Sequence, residues 1–259
     1  MTPAQLSRTV QHALRGAVGD AGAAGRLVIE SPPRRGDGDY ATGAVLRAAR
    51  AAGQDGALLA RRVGERVARA DGIGAVEISG PGFLNVTLDA AGRSALVAAL
   101  AGPDTSGPDA PARDVAAWVA ATGERPADLV RRTDASALFR VQYAHARCRA
   151  TLRNGAGLGL RPAAGEAGYA YEADPERALL AALADQQRIV ETRDHARLAR
   201  HLVAVAAFWH GTAEACPPLP RGDEKPGAVH RARLALTEAC GTVLADGLSQ
   251  LGVTAPAHL

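Results

Sequence analysis

The sequence has few aromatic side chains and a single lysine. Its 259 residues include three Phe, two Trp and four Tyr, so aromatic residues make up 3% of the chain. Lysine and arginine together number 30, yet Lys225 is the only lysine, and a mechanism that needs an ammonium group therefore has one candidate. Alanine and leucine supply much of the 47% apolar fraction, which favours helices that pack through small side chains.

Cysteine and long apolar runs are also scarce. Cys148, Cys216 and Cys240 are far apart, and no two of them have C-x-x-C spacing. This pattern predicts neither a disulfide framework nor a structural metal site, and it favours the reducing cytoplasm. No run approaches the roughly 18 apolar residues of a membrane span. Residues 1–16 are typical of an amphipathic helix rather than a secretion signal, because they lack a continuous apolar segment.

The formal net charge of +3 is small. RNA contacts would therefore have to come from local basic patches rather than from bulk charge. Two predicted helices carry arginines spaced by three or four residues: Arg62, Arg66 and Arg69 in the first, and Arg193, Arg197 and Arg200 in the second. Each stripe is either a phosphate-contacting edge or a solvated helix face.

The chain has one visible boundary. Residues 101–113 concentrate Pro, Gly, Asp and Ser, which is the composition of a linker. Residues 1–101 mix helical patterns with extended runs, including RLVIESPP and the two runs around Gly80-Pro81-Gly82, and they predict a small α/β domain. After a linker and remnant segment at 102–133, the apolar spacing over 134–259 predicts an all-α helical bundle. The fold class is α+β.

The segment VQYAHAR, residues 141–147, gathers an aromatic ring, a histidine and an arginine. His145 lies at a helical interval from Cys148, and we interpret it as a buried, hydrogen-bonded histidine rather than a catalytic base. Tyr143 and Arg147 are one turn apart, so both can project from one helix face. Elsewhere, His195 and His201 are six residues apart, which is not the spacing of a histidine pair that binds metal.

These stretches resemble arginyl-tRNA synthetase. Residues 1–100 resemble its N-terminal additional domain through GDYAT at 38–42 and ISGPGFLNVTL at 78–88. Residues 134–259 resemble its DALR-type anticodon-binding domain. The motifs that carry this second resemblance are FRVQYAHAR, ERALLAALAD, RLALTEA and VLADGLSQLGVTAP, in that order.

The catalytic motifs of that family are missing. A class I synthetase stabilises the charge that develops on ATP phosphates with HIGH-type and KMSK-type motifs on a Rossmann domain. No H-x-G-H occurs here, Lys225 lies in DEKPG, and there is no Walker-type or G-x-G-x-x-G loop. Residues 113–136 are too few for a doubly wound sheet, which needs several βαβ units of about 30 residues each. We therefore predict a pseudoenzyme without a cofactor or a bound metal.

The resemblance also implies tRNA contacts. In the family, the additional domain meets the tRNA elbow and the helical domain meets the anticodon loop. The predicted tRNA-binding residues are those within the matching motifs together with those of the arginine stripes: Tyr40, Phe83, Arg62, Arg66, Arg147, Arg197, Arg200 and Arg233. Two positions depart from the family. Gly43 stands where Asn is common, and Thr212 with Ala213 stands where an aromatic pair is usual.

Three functions are compatible with this sequence. The first is a non-catalytic synthetase paralogue that binds tRNA, such as an arginine tRNA. The second is a protein–protein interaction or regulatory module, with a protein partner or a homodimer, in which the tRNA surface has been reassigned. The third is an enzyme with new chemistry, which we rank last because the sequence offers no Ser-His-Asp, Cys-His or paired-carboxylate arrangement.

Overall fold

A computed structural model describes residues 1–22, 27–31 and 37–259. The chain divides into two compact units, Met1–Leu96 and Val97–Leu259. The boundary lies within a helix, a few residues before the boundary that composition predicts. The predicted strand RLVIESPP lies partly outside the described residues, and within them Glu30 forms an isolated antiparallel bridge with Ala41.

The first unit places helices against one small antiparallel sheet. Its elements are α1 (Pro3–Gly22), β1 (Tyr40–Thr42), α2 (Ala44–Ala52), α3 (Gly56–Val67), β2 (Ile73–Ser79), β3 (Phe83–Leu88) and α4 (Ala90–Leu100). The strand order is β1-β3-β2, and Val86 of β3 lies opposite both Tyr40 and Val76. The core contains buried side chains of α1, α3 and β3, among them Val10, Val63 and Leu84.

Local signals explain where these elements begin and end. Asp55 caps α3 by accepting a hydrogen bond from the Leu58 amide at 2.8 Å. The β2–β3 turn passes through Gly80 and Gly82, whose φ values of 57° and 138° favour glycine. The break that the sequence predicts at Gly80-Pro81-Gly82 is therefore confirmed.

The second unit is helical. Its helices are α5 (Pro111–Thr122), α6 (Pro126–Leu129), α7 (Ala137–Gly157), α8 (Asp174–Val190), α9 (His195–Ala215) and α10 (Ala228–Gln250), with a short 3-10 turn at Glu166–Gly168. Helices α7 to α10 pack on one another around leucines such as Leu183, Leu202 and Leu234. Asp194 caps α9 by accepting from the Arg197 amide at 2.9 Å. The α+β fold class, with an all-α second domain, is confirmed.

Residues 102–133 lie within the second unit and contain α5 and α6. The Trp118 side chain is fully buried, and its Nε1 donates to Glu124 at 3.1 Å. Helix α5 packs against α9. In the part of the chain that the structure describes, the only sheet is the three-stranded antiparallel one, and no helix is both long and apolar enough to cross a membrane.

Candidate nucleic-acid interface

A basic groove lies along α1 and α3 in the first unit. Its volume is about 810 Å³, and four arginines and one histidine line it: Arg8, His12, Arg15, Arg66 and Arg69. Among the described residues that line it, none is acidic. Because the five basic side chains meet on one surface, the groove concentrates positive charge that the small net charge of the chain does not reveal.

The groove depends on a close contact between its two helices. The Arg66 Nη1 donates to the Ala13 carbonyl at 3.4 Å, so its guanidinium lies across α1. Gly16 makes this possible, because a Cβ there would collide with the Arg66 Nη1. Arg62 is exposed on α3 but does not line the groove, so the structure brings together Arg66 and Arg69 without it.

The two aromatic residues predicted to contact tRNA in this unit have different surroundings. Tyr40 is fully buried, and its hydroxyl donates to the Met1 carbonyl at 2.9 Å. Burial, with Asp39 adding to it, raises the pKa of Tyr40 far above its usual value. Phe83 is half-buried, and a Cβ at Gly43 would lie 2.9 Å from its ring. The glycine at position 43 therefore leaves room for the Phe83 ring, whereas Tyr40 supports the fold from inside.

The VQYAHAR segment divides its side chains between two faces of α7. On the inner face, the Gln142 Nε2 donates to Asp114 at 2.8 Å and to the Thr254 carbonyl at 3.0 Å. The His145 Nδ1 lies 3.0 Å from the Pro256 carbonyl, which only accepts, so this nitrogen carries the proton. The prediction of a buried, hydrogen-bonded histidine is confirmed. This face holds the C-terminal tail, while Tyr143 and Arg147 are exposed on the outer face.

An aromatic stack extends from the outer face of α7 to α9. The Tyr143 ring centroid lies 5.4 Å from that of Phe139 and 5.8 Å from that of His210, with an interplanar angle of 21° in both cases. His210 also meets the buried Trp209 ring edge-on, at 4.9 Å. We call Phe139, Tyr143 and His210 the Tyr143 platform. Beside it lies a space of about 350 Å³, lined by both Tyr143 and His210.

Two domain families match the two units. Residues 4–88 match the family model of the arginyl tRNA synthetase N terminal domain. Residues 141–259 match that of the DALR anticodon binding domain. The chain is arginyl-tRNA synthetase-like in both of its units. Neither matched model is a catalytic domain, and only residues 89–140 separate the two matched ranges.

Relatives of this synthetase-like chain are much longer than it is. An arginine–tRNA ligase of Frankia alni is 42% identical over 138 residues, which cover 51% of this chain and 25% of the relative. The arginyl-tRNA synthetase structure of Thermus thermophilus is 25% identical, with a TM-score of 0.40, and the match covers 64% of this chain and 31% of that one. The chain thus spans between a quarter and a third of the length of these relatives.

The synthetase-like motif RLALTEA places Arg233 in an internal ion pair. The Arg233 Nε donates to Glu176 at 3.1 Å and to the Tyr169 hydroxyl at 3.0 Å, and its Nη1 donates to the Pro217 carbonyl at 3.3 Å. The Glu176 side chain is 1% exposed. Burial, with the hydrogen bond to Glu176, raises the pKa of Tyr169 to about 12. In this conformation the Arg233 guanidinium is occupied by protein partners.

The remaining predicted residues of the synthetase-like chain lie on α7 and α9. Arg147 and Arg200 are exposed, and Arg197 is half-buried. At the positions where the family carries an aromatic pair, Thr212 is buried and donates to the Pro175 carbonyl at 2.9 Å, next to the small Ala213. In the part of the chain that the structure describes, no group of three or more His, Cys, Asp or Glu side chains could hold a metal ion.

Both surfaces contain residues that were not predicted from the sequence. Arg8, His12 and Arg15 follow the i, i+4, i+7 spacing of one helix face, and this spacing in α1 is a signal that could have found them. Phe139 and Tyr143 are four residues apart and could have been paired in the same way. His210 gave no such signal, because its place beside Tyr143 depends on how α9 packs against α7.

Proposed function

We propose that this chain binds tRNA, an arginine tRNA in particular, and that it does so in the cytoplasm without activating the amino acid. The observation that carries the proposal is the basic groove of the first unit, in which Arg66 and Arg69 meet the basic face of α1. Arginine neutralises phosphate and displaces condensed counterions, which provides the sequence-independent part of RNA affinity. The matches to synthetase tRNA-binding domains supply the class of RNA.

The predicted contact residues have different proposed roles in tRNA binding. Arg66 and Arg69 contact phosphates in the groove, and Arg62 extends that contact along α3. Phe83 offers a half-buried ring beside Gly43. The arginines of α7 and α9 form the contacts of the second unit, namely the exposed Arg147 and Arg200 and the half-buried Arg197. Tyr40 and Arg233 support these surfaces from within the fold, because the Tyr40 hydroxyl and the Arg233 Nε and Nη1 already bond protein groups.

The proposed absence of amino-acid activation is based on the residues that lie between the two matched ranges. Residues 89–140 contain α4, α5 and α6, and among the described residues they contribute no strand of a nucleotide-binding sheet. Lys225 is exposed in the irregular segment between α9 and α10. A cytoplasmic location agrees with Cys148, Cys216 and Cys240, which are buried as free thiols.

A protein–protein interaction module is the second candidate. Thr212 and Ala213 favour it, because they replace a pair of rings that would stack on anticodon bases. Losing such a stacking contact forfeits about 1–3 kcal/mol per base. A chain that binds a protein partner instead of RNA would not need those rings.

Filter binding of purified tRNA at several salt concentrations tests the proposal. We expect saturable binding whose affinity falls as salt rises, because bound phosphates release counterions. The double variant R66E/R69E should weaken binding by about tenfold or more and lower the salt slope by about two. The matched control is R50E/R61E, which reverses two exposed charges in the same unit outside the groove.

One result would count against the groove as the binding surface, and another against tRNA binding itself. The first is an equal loss of tRNA affinity in R66E/R69E and in the control R50E/R61E. It would mean that affinity depends on the overall charge of the unit and not on the groove. The other is no saturable binding at low salt together with stoichiometric capture of a full-length synthetase or of a second copy of this chain. Thermal melting of each variant should accompany the assay, because Arg66 also holds α1 through the Ala13 carbonyl.

A further inference from the structure

We propose that the outer edge of β2 is a homodimer interface, at which the strand pairs with β2 of a second copy of this chain. β2 lies at the end of the strand order β1-β3-β2, and in the part of the chain that the structure describes it pairs with β3 alone. At the other edge of the sheet, Ala41 of β1 bridges to Glu30. Alternate backbone groups of β2 therefore point outwards without a strand partner, and such an edge can accept a further strand.

The edge has few of the features that normally prevent strand pairing. Natural edge strands are often blocked by lysine or proline. β2 contains neither, and Glu77 is its one charged residue. A register shift between Ile73 and Ala75 leaves residues 75–79 as the regular part of the strand. Within that part, Ile78 is 40% exposed although it is a large apolar side chain. A second strand would cover it.

Helix α3 lies directly over this edge. A Cβ at Gly64 would lie 3.6 Å from the Val76 Cγ1 and 4.0 Å from the Ile78 Cδ1, so the helix face that contains Gly64 packs on β2. Three exposed residues follow the three- and four-residue spacing of that face, namely Ala57, Arg61 and Ala68. Two of the three are alanines, which leave room for a second copy to approach α3 closely.

The charges of α3 identify a second copy as the occupant. Arg61 and Glu65 are both exposed and one turn apart, and among the described residues neither makes an ion pair. Two antiparallel β2 strands are related by a two-fold axis, which also makes their α3 helices antiparallel. Because Gly64 lies over Val76, an axis through Val76 passes close to the midpoint of Arg61 and Glu65. Arg61 of each copy then faces Glu65 of the other, so the surface is complementary to itself.

The strand register is compatible with this arrangement. With the axis at Val76, Ala75 lies opposite Glu77 of the second copy, so the two acidic side chains are not directly opposed. Val76 lies opposite its own counterpart, and Ile78 follows on the same face of the sheet. The interface therefore has an apolar strip on β2 and two ion pairs on α3. One strand and one helix from each copy form a small interface, which predicts a weak, reversible dimer.

Sedimentation velocity of the full chain without RNA, over a range of concentrations, tests the proposal. We expect the mean mass to rise from that of a monomer towards twice that value. R61E and E65R should each weaken self-association by about tenfold or more, because like charges then face each other across the axis. Ile78→Lys should have a similar effect, since it places a charge in the apolar strip. The matched control R50E reverses an exposed charge on α2 and should stay within about twofold of the unmodified chain.

A mixture of the two charge variants separates the interface from effects within one helix. R61E also places two acidic side chains one turn apart in α3, which could weaken the helix itself. In a mixed dimer of R61E with E65R, both acidic side chains of one chain face basic side chains of the other. Mixing should therefore restore self-association at least to the level of the unmodified chain. A defect within one helix would remain after mixing. Circular dichroism of each variant reports whether α3 remains folded.

Amide hydrogen exchange gives a second measurement of the same contact. The amides of β2 should exchange more slowly at high than at low protein concentration, because the second strand protects them. A chain that stays monomeric at every concentration would overturn the proposal, whether or not another protein binds this edge. A dimer that persists equally in R61E, E65R and Ile78→Lys would also overturn it, because another surface would then form the dimer. tRNA binding is measured separately and can succeed or fail independently of these results.

Discussion

Residues of VQYAHAR have different structural roles although they are neighbours in the sequence. Gln142 and His145 hold the C-terminal tail through the Thr254 and Pro256 carbonyls, and Tyr143 with Arg147 faces outwards. The Asp114 carboxylate completes the inner cluster by accepting from the Thr254 amide at 2.9 Å and from Gln142 at 2.8 Å. A motif that is typical of a family can therefore contain mostly structural residues, with a functional surface on one face alone.

The buried imidazole of His145 predicts a loss of stability in mild acid. Burial, with Arg149 adding to it, lowers the pKa of His145 in the folded chain below the value of about 6.5 of a free histidine. The unfolded chain therefore binds the proton more tightly. The free energy of unfolding should be constant above about pH 7 and should fall as the pH drops through 6.5. Burial lowers the pKa values of His201 and His210 in the same direction.

Urea unfolding between pH 5 and pH 8 measures this effect. The matched variant is His145→Asn, whose amide can donate to the Pro256 carbonyl but does not titrate in this range. Its free energy of unfolding should fall less between pH 7 and pH 5 than that of the unmodified chain. An equally steep fall in both proteins would show that His145 does not contribute to the acid sensitivity.

The placement of some of these residues could be predicted from the sequence and that of others could not, for a physical reason. The outward projection of Tyr143 and Arg147 follows from helical spacing, which is local. The burial of Tyr40 depends on its hydrogen bond to Met1, and the ion pair of Arg233 depends on Glu176 of α8. Both partners are remote in the sequence, so position within a motif indicated neither.

At the scale of helices and strands, small residues decide how closely the helices pack. Gly247 of α10 is buried where α8, α9 and α10 meet. A Cβ at this position would collide with the Leu202 side chain and would lie 2.9 Å from the Gln186 Nε2. Gly211 lies at a comparable distance from the end of α9, and a Cβ there would meet nothing within 4 Å. The two glycines form a natural pair for comparison.

Alanine substitution of this pair should change stability in opposite directions. Gly211→Ala should raise the free energy of unfolding by up to about 1 kcal/mol, because alanine is the better helix former. Gly247→Ala gains the same propensity but crowds Leu202, and we expect a net loss of about 1–3 kcal/mol. Chemical denaturation of the two variants beside the unmodified chain gives both values. A stabilised Gly247→Ala would mean that α9 and α10 can separate at little cost.

The helices were more predictable than the segment that joins the two matched ranges. The apolar spacing over residues 134–259 predicted the helical bundle that contains α7 to α10. The linker composition of residues 101–113 concealed α5, which begins at Pro111 within it. What fixes α5 is the buried Asp114, whose carboxylate accepts from Gln142 and Thr254, 28 and 140 residues away, and composition does not report such partners.

At the scale of the whole molecule, the groove of the first unit and the Tyr143 platform of the second unit differ in chemistry. The groove of the first unit offers charge with no acidic residue among the described ones that line it, which suits a phosphate backbone. The Tyr143 platform of the second unit offers aromatic rings beside the small apolar side chains Val203, Ala206 and Ala207 of α9.

The chain as a whole should bind tRNA without activating arginine. Adenylation needs a site that holds ATP phosphates and stabilises the charge that develops on them. Within residues 1–22, 27–31 and 37–259 the sheet is antiparallel with three strands, and the single lysine is exposed in an irregular segment. Arginine-dependent exchange of pyrophosphate into ATP should therefore stay at the blank level in a preparation that binds tRNA saturably, whether or not tRNA is added. Exchange that rises with the amount of this chain and persists through repeated purification would contradict the proposal, because a nucleotide site would then have to exist outside the architecture described above.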